Sequence, residues 1–277
     1  EASPLAHSHP YGLGPMLDGL FFQGNFGIVT SACFRLLPQP PCRVAVSLAL
    51  LREADLGRFI DVLAALKRER VMGSVTHVGN KARTRASLMH GISKYLGEEL
   101  GLSGAALSAQ AETALSIVAP HQWTSLGGVS GTARQVSAAL AEIRSRMRGL
   151  ARVATFDDAK LALGYKVMHG LRFIPWARAN AAAIAAIRPL HGLAEGIPTD
   201  AAIDNLLWRF GRSDLPASRL DESNCGLLFI NPALPMDGAF VADVVAGMSE
   251  VARGFAHELY MTLNIETESS MVAVVNL

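Results

Sequence analysis

The chain has 277 residues, a formal charge of +1, and 50% hydrophobic residues. This size and composition suffice for a substantial core in one large domain or two small ones. No apolar run approaches the roughly 20 residues that span a bilayer, the first residues lack the blocks of a signal peptide, and the near-neutral charge gives no general attraction to nucleic acid or to a membrane. We therefore expect a soluble protein that has neither as a partner.

The first 40 residues form the first predicted unit. Glycines and amide side chains fill the run from Pro10 to Asn25, and Gly27-Ile28-Val29-Thr30 has the composition of a buried strand. Glycine lets a backbone lie close to a flat ligand, so this run suits a cofactor site, with a tight turn entering a core strand as the alternative. The cluster Pro38-Gln39-Pro40-Pro41 interrupts regular structure and predicts a domain boundary, with domains at 1–40 and 41–277.

Three units of strand, helix and strand are predicted after this boundary. The first unit has a strand at 43–50, a helix at 55–70 and a strand at 71–78. An Ala-rich helix at 103–118 precedes the second unit. The second unit has a strand at 122–129, a helix at 132–147 and a strand at 151–156. A less regular insertion at 157–223 contains a poly-alanine helix at 179–187; the third unit has a strand at 226–230, a helix at 238–257 and strands at 259–265 and 271–277. Each unit has one apolar stripe to bury, which predicts an α+β fold in which an antiparallel sheet has helices mainly on one face, as in ferredoxin-like domains.

Three segments carry a resemblance to a known family. The run from Pro10 to Thr30, with its exit Leu36-Leu37-Pro38, resembles the end of the FAD-binding domain in the vanillyl-alcohol oxidase and p-cresol dehydrogenase family of FAD-linked oxidoreductases. Gly196-Ile197-Pro198-Thr199 and the segment from Gly226 to Pro232 follow in the family's order. The resemblance implies that 1–40 is the C-terminal remnant of the FAD-binding domain and 41–277 the substrate or cap domain. It also implies oxidation of a small substrate by hydride transfer to the flavin, with a para-substituted phenol as the family's expectation.

The resemblance places cofactor contacts in two segments. The amide side chains of Gln23 and Asn25 and the backbone of Gly27, Ile28 and Val29 are the expected FAD contacts in the first. In the second, Ser269 or Ser270 stands where relatives carry the His or Tyr that binds flavin covalently, which implies noncovalent FAD. The family's main diphosphate-binding loop has no counterpart here, so we expect the chain alone to bind FAD weakly or not at all and to be inactive.

No catalytic residue can be carried over, because the family's phenol-recognising Tyr and Arg and its acid/base carboxylate have no counterpart in this chain. Glu266 and Glu268 share one face of a predicted strand and are candidates for substrate contact, with an exposed strand edge as the alternative. The glycines from Gly127 to Gly131 lack a Lys and indicate a turn between strand and helix rather than an anion site. Asp157 is interpreted as a helix cap.

The remaining polar residues predict little chemistry. The eight histidines have no metal-ligand spacing, so no metal site is expected. Cys33, Cys42 and Cys225 have no CxxC spacing, which favours a reducing compartment, the cytoplasm. The basic runs at 67–70, 81–85 and 144–148 are interpreted as solvated helix faces.

A non-enzymatic module with a cap-like fold, which binds a small molecule or a partner protein, is the competing hypothesis. The missing diphosphate loop and the two serines favour it, whereas the run at 10–30 favours the flavoenzyme. The expected partners are a small-molecule substrate and either a second copy of the chain or a missing segment of the FAD domain. Since position 1 is not Met, we expect residues before Glu1 in a longer protein, with processing of a precursor as the alternative.

Overall fold

The computed structural model describes residues 17–21, 24–33, 36, 38–194 and 197–276. The chain divides into two compact units, Glu1–Pro40 and Pro41–Leu277. In the first unit a short 3₁₀ helix spans Asp18–Phe21, and the other described residues have no regular secondary structure.

The predicted strand at 27–30 is wrong. These residues are exposed, and the side chain of Ile28 keeps 91% of its surface accessible. A strand forms where a neighbouring strand pairs with its backbone N–H and C=O groups. The described part of the first unit contains no such partner.

One antiparallel sheet forms the centre of the second unit. Its strands are β1 (Cys42–Leu50), β2 (Thr76–Asn80), β3 (Trp123–Gly131), β4 (Ala151–Phe156), β5 (Phe229–Ile230), β6 (Ala233–Pro235), β7 (Tyr260–Ile265) and β8 (Ser270–Asn276). The order is β4-β1-β3-β2-β7-β8-β5, and β6 also pairs with β8. In the part β4-β1-β3-β2, the pair β1 and β2 and the pair β3 and β4, each joined through one α-helix, are each separated by one antiparallel strand, which is the ferredoxin-like arrangement. The predicted α+β class and antiparallel sheet are confirmed.

The helices of the second unit connect these strands, singly or in succession. They are α1 (Leu56–Arg68), α2 (Lys81–Lys94), α3 (Gly104–Val118), α4 (Ala133–Arg146), α5 (Asp158–Gly170), α6 (Pro175–Ala194), α7 (Ala201–Arg209) and α8 (Gly238–Gly254). A π-helical turn, Tyr95–Glu99, continues α2, and 3₁₀ turns span Glu53–Asp55 and Ala217–Ser223.

The main core lies between one face of the sheet and helices α1, α4 and α8. Alternation along β1 directs Val44, Val46, Leu48 and Leu50 into this core. The predicted apolar stripe of α1 is confirmed, since Phe59, Ile60, Leu63 and Leu66 are all buried there. Side chains from α4 and α8, among them Ile143 and Val241, complete the layer.

Helices α1 and α8 cross at two glycines. A Cβ atom on Gly238 would collide with the backbone of Gly57, and a Cβ atom on Gly57 would lie 2.8 Å from the carbonyl oxygen of Gly238. The close approach lets the Asp61 carboxylate of α1 accept a hydrogen bond from the backbone N–H of Gly238 at 2.8 Å. Asp61 thereby satisfies one of the free N–H groups at the start of α8.

A second core lies among helices α2, α3 and α6, together with the π-helical turn. It is rich in alanine from α6, including Ala179, Ala182, Ala183 and Ala186. Alanine is the best helix former, and its small side chain lets Ala186 approach Gly91 of α2 closely. The expectation of a less regular insertion at 157–223 is wrong, because α5, α6 and α7 occupy most of it.

Three further sequence predictions, at 71–78, at 226–230 and at Asp157, can be compared with the structure. The predicted strand at 71–78 begins only at Thr76, since the backbone N–H of Val71 bonds to Leu66 and closes α1. The predicted strand at 226–230 is reduced to the two residues of β5. The cap predicted at Asp157 is confirmed, because its carboxylate accepts a hydrogen bond from the backbone N–H of Lys160 at 2.8 Å. That bond lowers the pKa of Asp157.

Candidate functional site

The face of the sheet opposite the main core is partly open to solvent. Strand alternation directs Ser47, Leu126, His77 and Asn264 to this face, and the register places them side by side across β1, β3, β2 and β7. The row continues to Ala154 on β4 and Val272 on β8. We call this row, with its neighbours Ala45, Gly79, Gly128 and Thr262, the open face. Because most of its side chains are short, it is a shallow surface that suits a planar ligand.

His77 is the titratable residue in this row. It is exposed, and its Nδ1 lies 2.7 Å from Oδ1 of Asn264. The amide oxygen accepts, so Nδ1 carries the proton and Nε2 remains available as an acceptor when the ring is neutral. His77 has no metal-ligand spacing in the sequence; the signal that could have marked it is strand alternation, which turns it away from the core because its neighbours Thr76 and Val78 are buried.

The turn between β7 and β8 lies beyond one end of the open face. In this hairpin tip, residues 266–270, the hydroxyl of Thr267 lies 2.9 Å from that of Ser270 and 3.3 Å from that of Ser269. The backbone N–H groups of Ser269 and Ser270 both donate to the Thr267 hydroxyl. The tip is exposed, so its hydroxyls can also hydrogen-bond to a ligand.

Glu266 and Glu268 flank these hydroxyls at the tip. They do not share a strand face, because β7 ends at Ile265 and both glutamates lie in the turn. Lys67 lies near them and donates a hydrogen bond to the carbonyl oxygen of Ser74 at 2.7 Å. Partial burial lowers the pKa of Lys67, and the two carboxylates act in the opposite direction.

The predicted cofactor contacts fall in both units. Asn25, Gly27, Ile28 and Val29 lie in the first unit, where all four are exposed. Ser269 and Ser270 lie at the hairpin tip of the second. Gln23 lies outside the described residues.

The glycine-containing segment at 127–131 is part of β3 and its exit. A Cβ atom on Gly127 would lie 2.9 Å from side-chain atoms of Met72 and Thr76, so the close packing here requires glycine. At the start of α4, Thr132 and Gln135 form a reciprocal capping box that occupies N–H groups an anion would need. The predicted turn at 127–131 is therefore wrong, because these residues belong to β3, which pairs with β1 as far as Gly131, and α4 begins directly after the cap at Thr132.

A separate cavity of about 630 Å³ lies at the opposite end of β7 from the hairpin tip. The start of α2 and the end of α8 form its walls, and the ionisable residues that line it are Lys81, Arg85, Arg253, His257 and Glu258. Arg85 is paired with Glu112, and Glu258 accepts a hydrogen bond from the hydroxyl of Tyr260. Two members of the predicted solvated run at 81–85 thus line a cavity of mixed charge.

Neither a metal cluster nor a membrane-spanning helix is found in the described ranges. Among residues 17–276, apart from the gaps given above, no three His, Cys, Asp or Glu side chains come close enough to hold a metal ion. The same residues contain no helix long and apolar enough to cross a membrane.

Comparison with known proteins gives a flavoprotein subunit and a decarboxylase as sequence relatives. No protein-family model matches the chain. The chain is 40% identical over 57 residues, 21% of its length and 11% of the relative, to the 4-cresol dehydrogenase [hydroxylating] flavoprotein subunit of Pseudomonas putida. It is 24% identical over 297 aligned positions to 1'-carboxy-chondrochloren decarboxylase of Chondromyces crocatus, which covers 98% of this chain and 49% of the relative.

Solved structures share the fold over almost the entire chain. A structure of p-cresol methylhydroxylase with substrate bound matches 99% of the chain with a TM-score of 0.66 and 17% identity. The isoeugenol complex of 4-ethylphenol oxidase from Gulosibacter chungangensis matches 99% with a TM-score of 0.63 and 18% identity. The chain spans 46% of each of these structures, about half their length. The resemblance drawn from the sequence motifs is confirmed.

Proposed function

Since the chain resembles the vanillyl-alcohol oxidase and p-cresol dehydrogenase family in sequence and fold, we propose that it is the cap part, with the end of the FAD-binding domain, of an FAD-dependent oxidoreductase. The observation that carries this proposal is the agreement of the fold over 99% of the chain with two enzymes named for phenols. The proposed substrate is a small phenol, and the proposed reaction is hydride transfer from a substrate carbon to the flavin. Residues 1–40 are then the domain remnant and 41–277 the cap domain.

The open face fits the flat ring system of FAD. Its central row presents Ser47, Leu126 and His77 without a bulky aromatic side chain, so a planar group can lie against it. Bound FAD would supply the hydride acceptor. The chain's own contribution is to cover the reacting atoms and exclude water, which strengthens the electrostatic interactions beneath the cover.

The hairpin tip and the first unit supply the proposed polar contacts to FAD. Ser269 and Ser270 carry hydroxyls that can donate and accept hydrogen bonds, but serine at these positions does not form the covalent link made by His or Tyr in relatives. Asn25 and the exposed backbone of Gly27, Ile28 and Val29 supply amide donors and carbonyl acceptors in the first unit. Gln23 remains part of this proposal.

His77 is the proposed polar group of the open face toward the substrate or the ring. Its bond to Asn264 holds the imidazole in one orientation and leaves Nε2 to accept a proton or a hydrogen bond. In His77→Gln we expect the rate of flavin reduction to fall about tenfold or more, because the imidazole acceptor is lost. His257→Gln, at an exposed histidine of the separate cavity, is the matched control and should keep the rate of the unchanged protein.

A decarboxylation is the second candidate reaction. The relative that aligns with 98% of the chain is named a decarboxylase, so a substrate that carries a carboxylate is the corresponding candidate. Measuring released carbon dioxide beside the oxidised product, with matched phenols that have and lack a carboxylate, separates the two reactions.

The visible absorption spectrum of the purified parent protein tests the proposal. We expect the flavin bands, and their bleaching when a para-substituted phenol such as 4-ethylphenol is added without oxygen. A parent protein that binds no flavin would contradict the proposal and favour the non-enzymatic module. A flavin that binds but is reduced by neither phenols nor carboxylated phenols would contradict the substrate class alone.

A further inference from the structure

The hairpin of α5 and α6 carries an excess of positive charge, because Asp158, the first residue of α5, is its one acidic residue. Between Ala159 and Ala194 the sequence has no Asp or Glu, although the chain has 24 of them in 277 residues. The same segment contains five basic residues, which are Lys160, Lys166, Arg172, Arg178 and Arg188. Lys160 also contacts Asp157 at the start of α5; the others have no carboxylate partner in the described part of the chain.

Large apolar side chains are exposed on the same hairpin. Leu163 and Val167 lie one turn apart on α5, with Leu163 64% exposed. At the turn between the helices, Phe173 is 72% and Trp176 62% exposed, and Ile174 and Leu171 are exposed as well. On a helical wheel, Lys160 and Lys166 lie on either side of the Leu163 and Val167 stripe. We call the surface formed by Leu163, Val167, Leu171, Phe173, Ile174 and Trp176 the apolar tip.

Hydrogen bonds hold the turn in place. The guanidinium of Arg178 donates to the carbonyl oxygen of Arg172 at 3.1 Å. The guanidinium of Arg172 donates to the carbonyl oxygen of His169 at 3.0 Å. The backbone N–H of Ile174 bonds to Leu171, and that of Arg178 bonds to Ile174. The apolar tip is therefore presented by a turn whose backbone is already ordered.

We propose that the apolar tip docks on an anionic lipid surface. Leu, Phe and Trp side chains beside Lys and Arg are the composition of protein segments that lie in the membrane interface. The cations match the negative headgroups, and the absence of acidic residues between Ala159 and Ala194 avoids repulsion between this part of the hairpin and an anionic surface. This docking concerns the membrane surface and is independent of the proposed oxidation. The expectation that the chain has no membrane partner rested on the lack of a spanning segment and on the near-neutral charge of the whole chain. In this proposal the local excess of cations on the hairpin outweighs that overall charge.

Vesicle flotation of the full chain tests this proposal. We expect the chain to float with vesicles of phosphatidylcholine mixed with phosphatidylglycerol, to float less in high salt, and to float little with phosphatidylcholine alone. Trp176 fluorescence should shift to shorter wavelength on binding, and Phe173→Ser should weaken binding by at least about tenfold because the aromatic side chain no longer enters the interface. Phe255→Ser removes an aromatic side chain that is 74% exposed but lies after α8, and it should bind as the unchanged chain does.

Two charge variants separate headgroup attraction from general stickiness. Lys166→Gln should reduce binding to the mixed vesicles severalfold, whereas Arg148→Gln, at an exposed site after α4, should not. Equal binding of Phe173→Ser and the unchanged chain, or failure of the unchanged chain to float, would overturn the proposal. Concentration-dependent dimerisation that Phe173→Ser abolishes, without flotation, would assign the tip to a second copy and would also overturn it.

Discussion

A pair formed by a buried tyrosine and a half-buried histidine joins α5 to the π-helical turn that follows α2. The hydroxyl of Tyr95 lies 2.7 Å from Nδ1 of His169, and Tyr165 stacks on the same imidazole with ring centroids 5.4 Å apart. Burial raises the pKa of Tyr95 to about 12. The phenol therefore stays neutral in the folded chain at pH values where an exposed tyrosine, with a pKa near 10, begins to ionise.

Replacing Tyr95 by Phe tests this pair. We expect the free energy of unfolding to fall by about 1 to 2 kcal/mol at neutral pH, because Nδ1 of His169 loses its partner. The contribution of the raised pKa of Tyr95 to the free energy of unfolding is complete below pH 10 and is lost as pH rises toward 12. The unchanged chain therefore loses stability over that range, and Tyr95→Phe loses less. Denaturant unfolding at pH 7 and at pH 10 to 11 measures both effects.

Tyr165→Phe is the control for this experiment. The Tyr165 hydroxyl has no hydrogen-bond partner in the described part of the chain, and the ring contact with His169 is kept. A loss of stability equal to that of Tyr95→Phe would show that the hydrogen bond is not the cause.

The serines of the hairpin tip predict a flavin that can be extracted. After acid precipitation of the full-length parent protein, we expect the flavin in the supernatant, because Ser269 and Ser270 do not form the covalent link of relatives. Mass spectrometry of the precipitate measures this. A flavin adduct on any peptide between Leu259 and Val275 would contradict both the placement of the two serines and noncovalent binding.

At the scale of elements, the crossing of α1 and α8 joins two distant parts of the sequence. Gly57 and Gly238 allow the two backbones to touch, and Asp61 caps α8 across the contact. Both helices bury their apolar residues in the main core, so their separation controls how well the sheet is covered.

Replacing Gly238 by Ala should therefore destabilise the second unit. We expect the free energy of unfolding to fall by about 1 to 3 kcal/mol, since the added methyl group must push α1 and α8 apart. Denaturant unfolding followed by circular dichroism measures the change. Gly247→Ala, in the same helix, adds a methyl group with no atom within 4 Å; it should be neutral or stabilise by up to about 1 kcal/mol, and a matching loss there would argue against the crossing as the cause.

At the scale of the whole molecule, the chain contains one side of the proposed cofactor site. It spans 46% of each of the two solved structures that it matches, and the family's main diphosphate-binding loop has no counterpart in its sequence. Diphosphate contacts supply much of a dinucleotide's binding energy through oriented N–H groups.

The isolated chain should consequently bind FAD weakly or not at all. Gel filtration of the chain after incubation with FAD, followed by a visible spectrum of the protein peak, measures this. Protein that stays yellow at micromolar concentration would contradict the expectation and show that the two units suffice for binding. The parent protein, treated in the same way, is the control.

Local patterns in the sequence were enough to predict the class of the fold. The stripe of α1, the alternation of β1 and the cap at Asp157 depend on residues within one or two turns of each other, and such spacing expresses the helix and strand periods directly. The motifs at 10–30 and 226–232 likewise indicated the resemblance to FAD-linked oxidoreductases. Where a segment's structure depends on a distant partner, as at 27–30 and in β5, prediction from local pattern was wrong or too long.

The candidate site required contacts that no local pattern contains. His77 meets Asn264 across 187 positions of sequence, and their pairing depends on the register that places β2 beside β7. Gly57 and Gly238 have a role only because two helices cross there. Periodicity tells which residues share one face of an element, but long-range strand order and helix packing determine which of those faces are covered by the core and which remains open to a ligand.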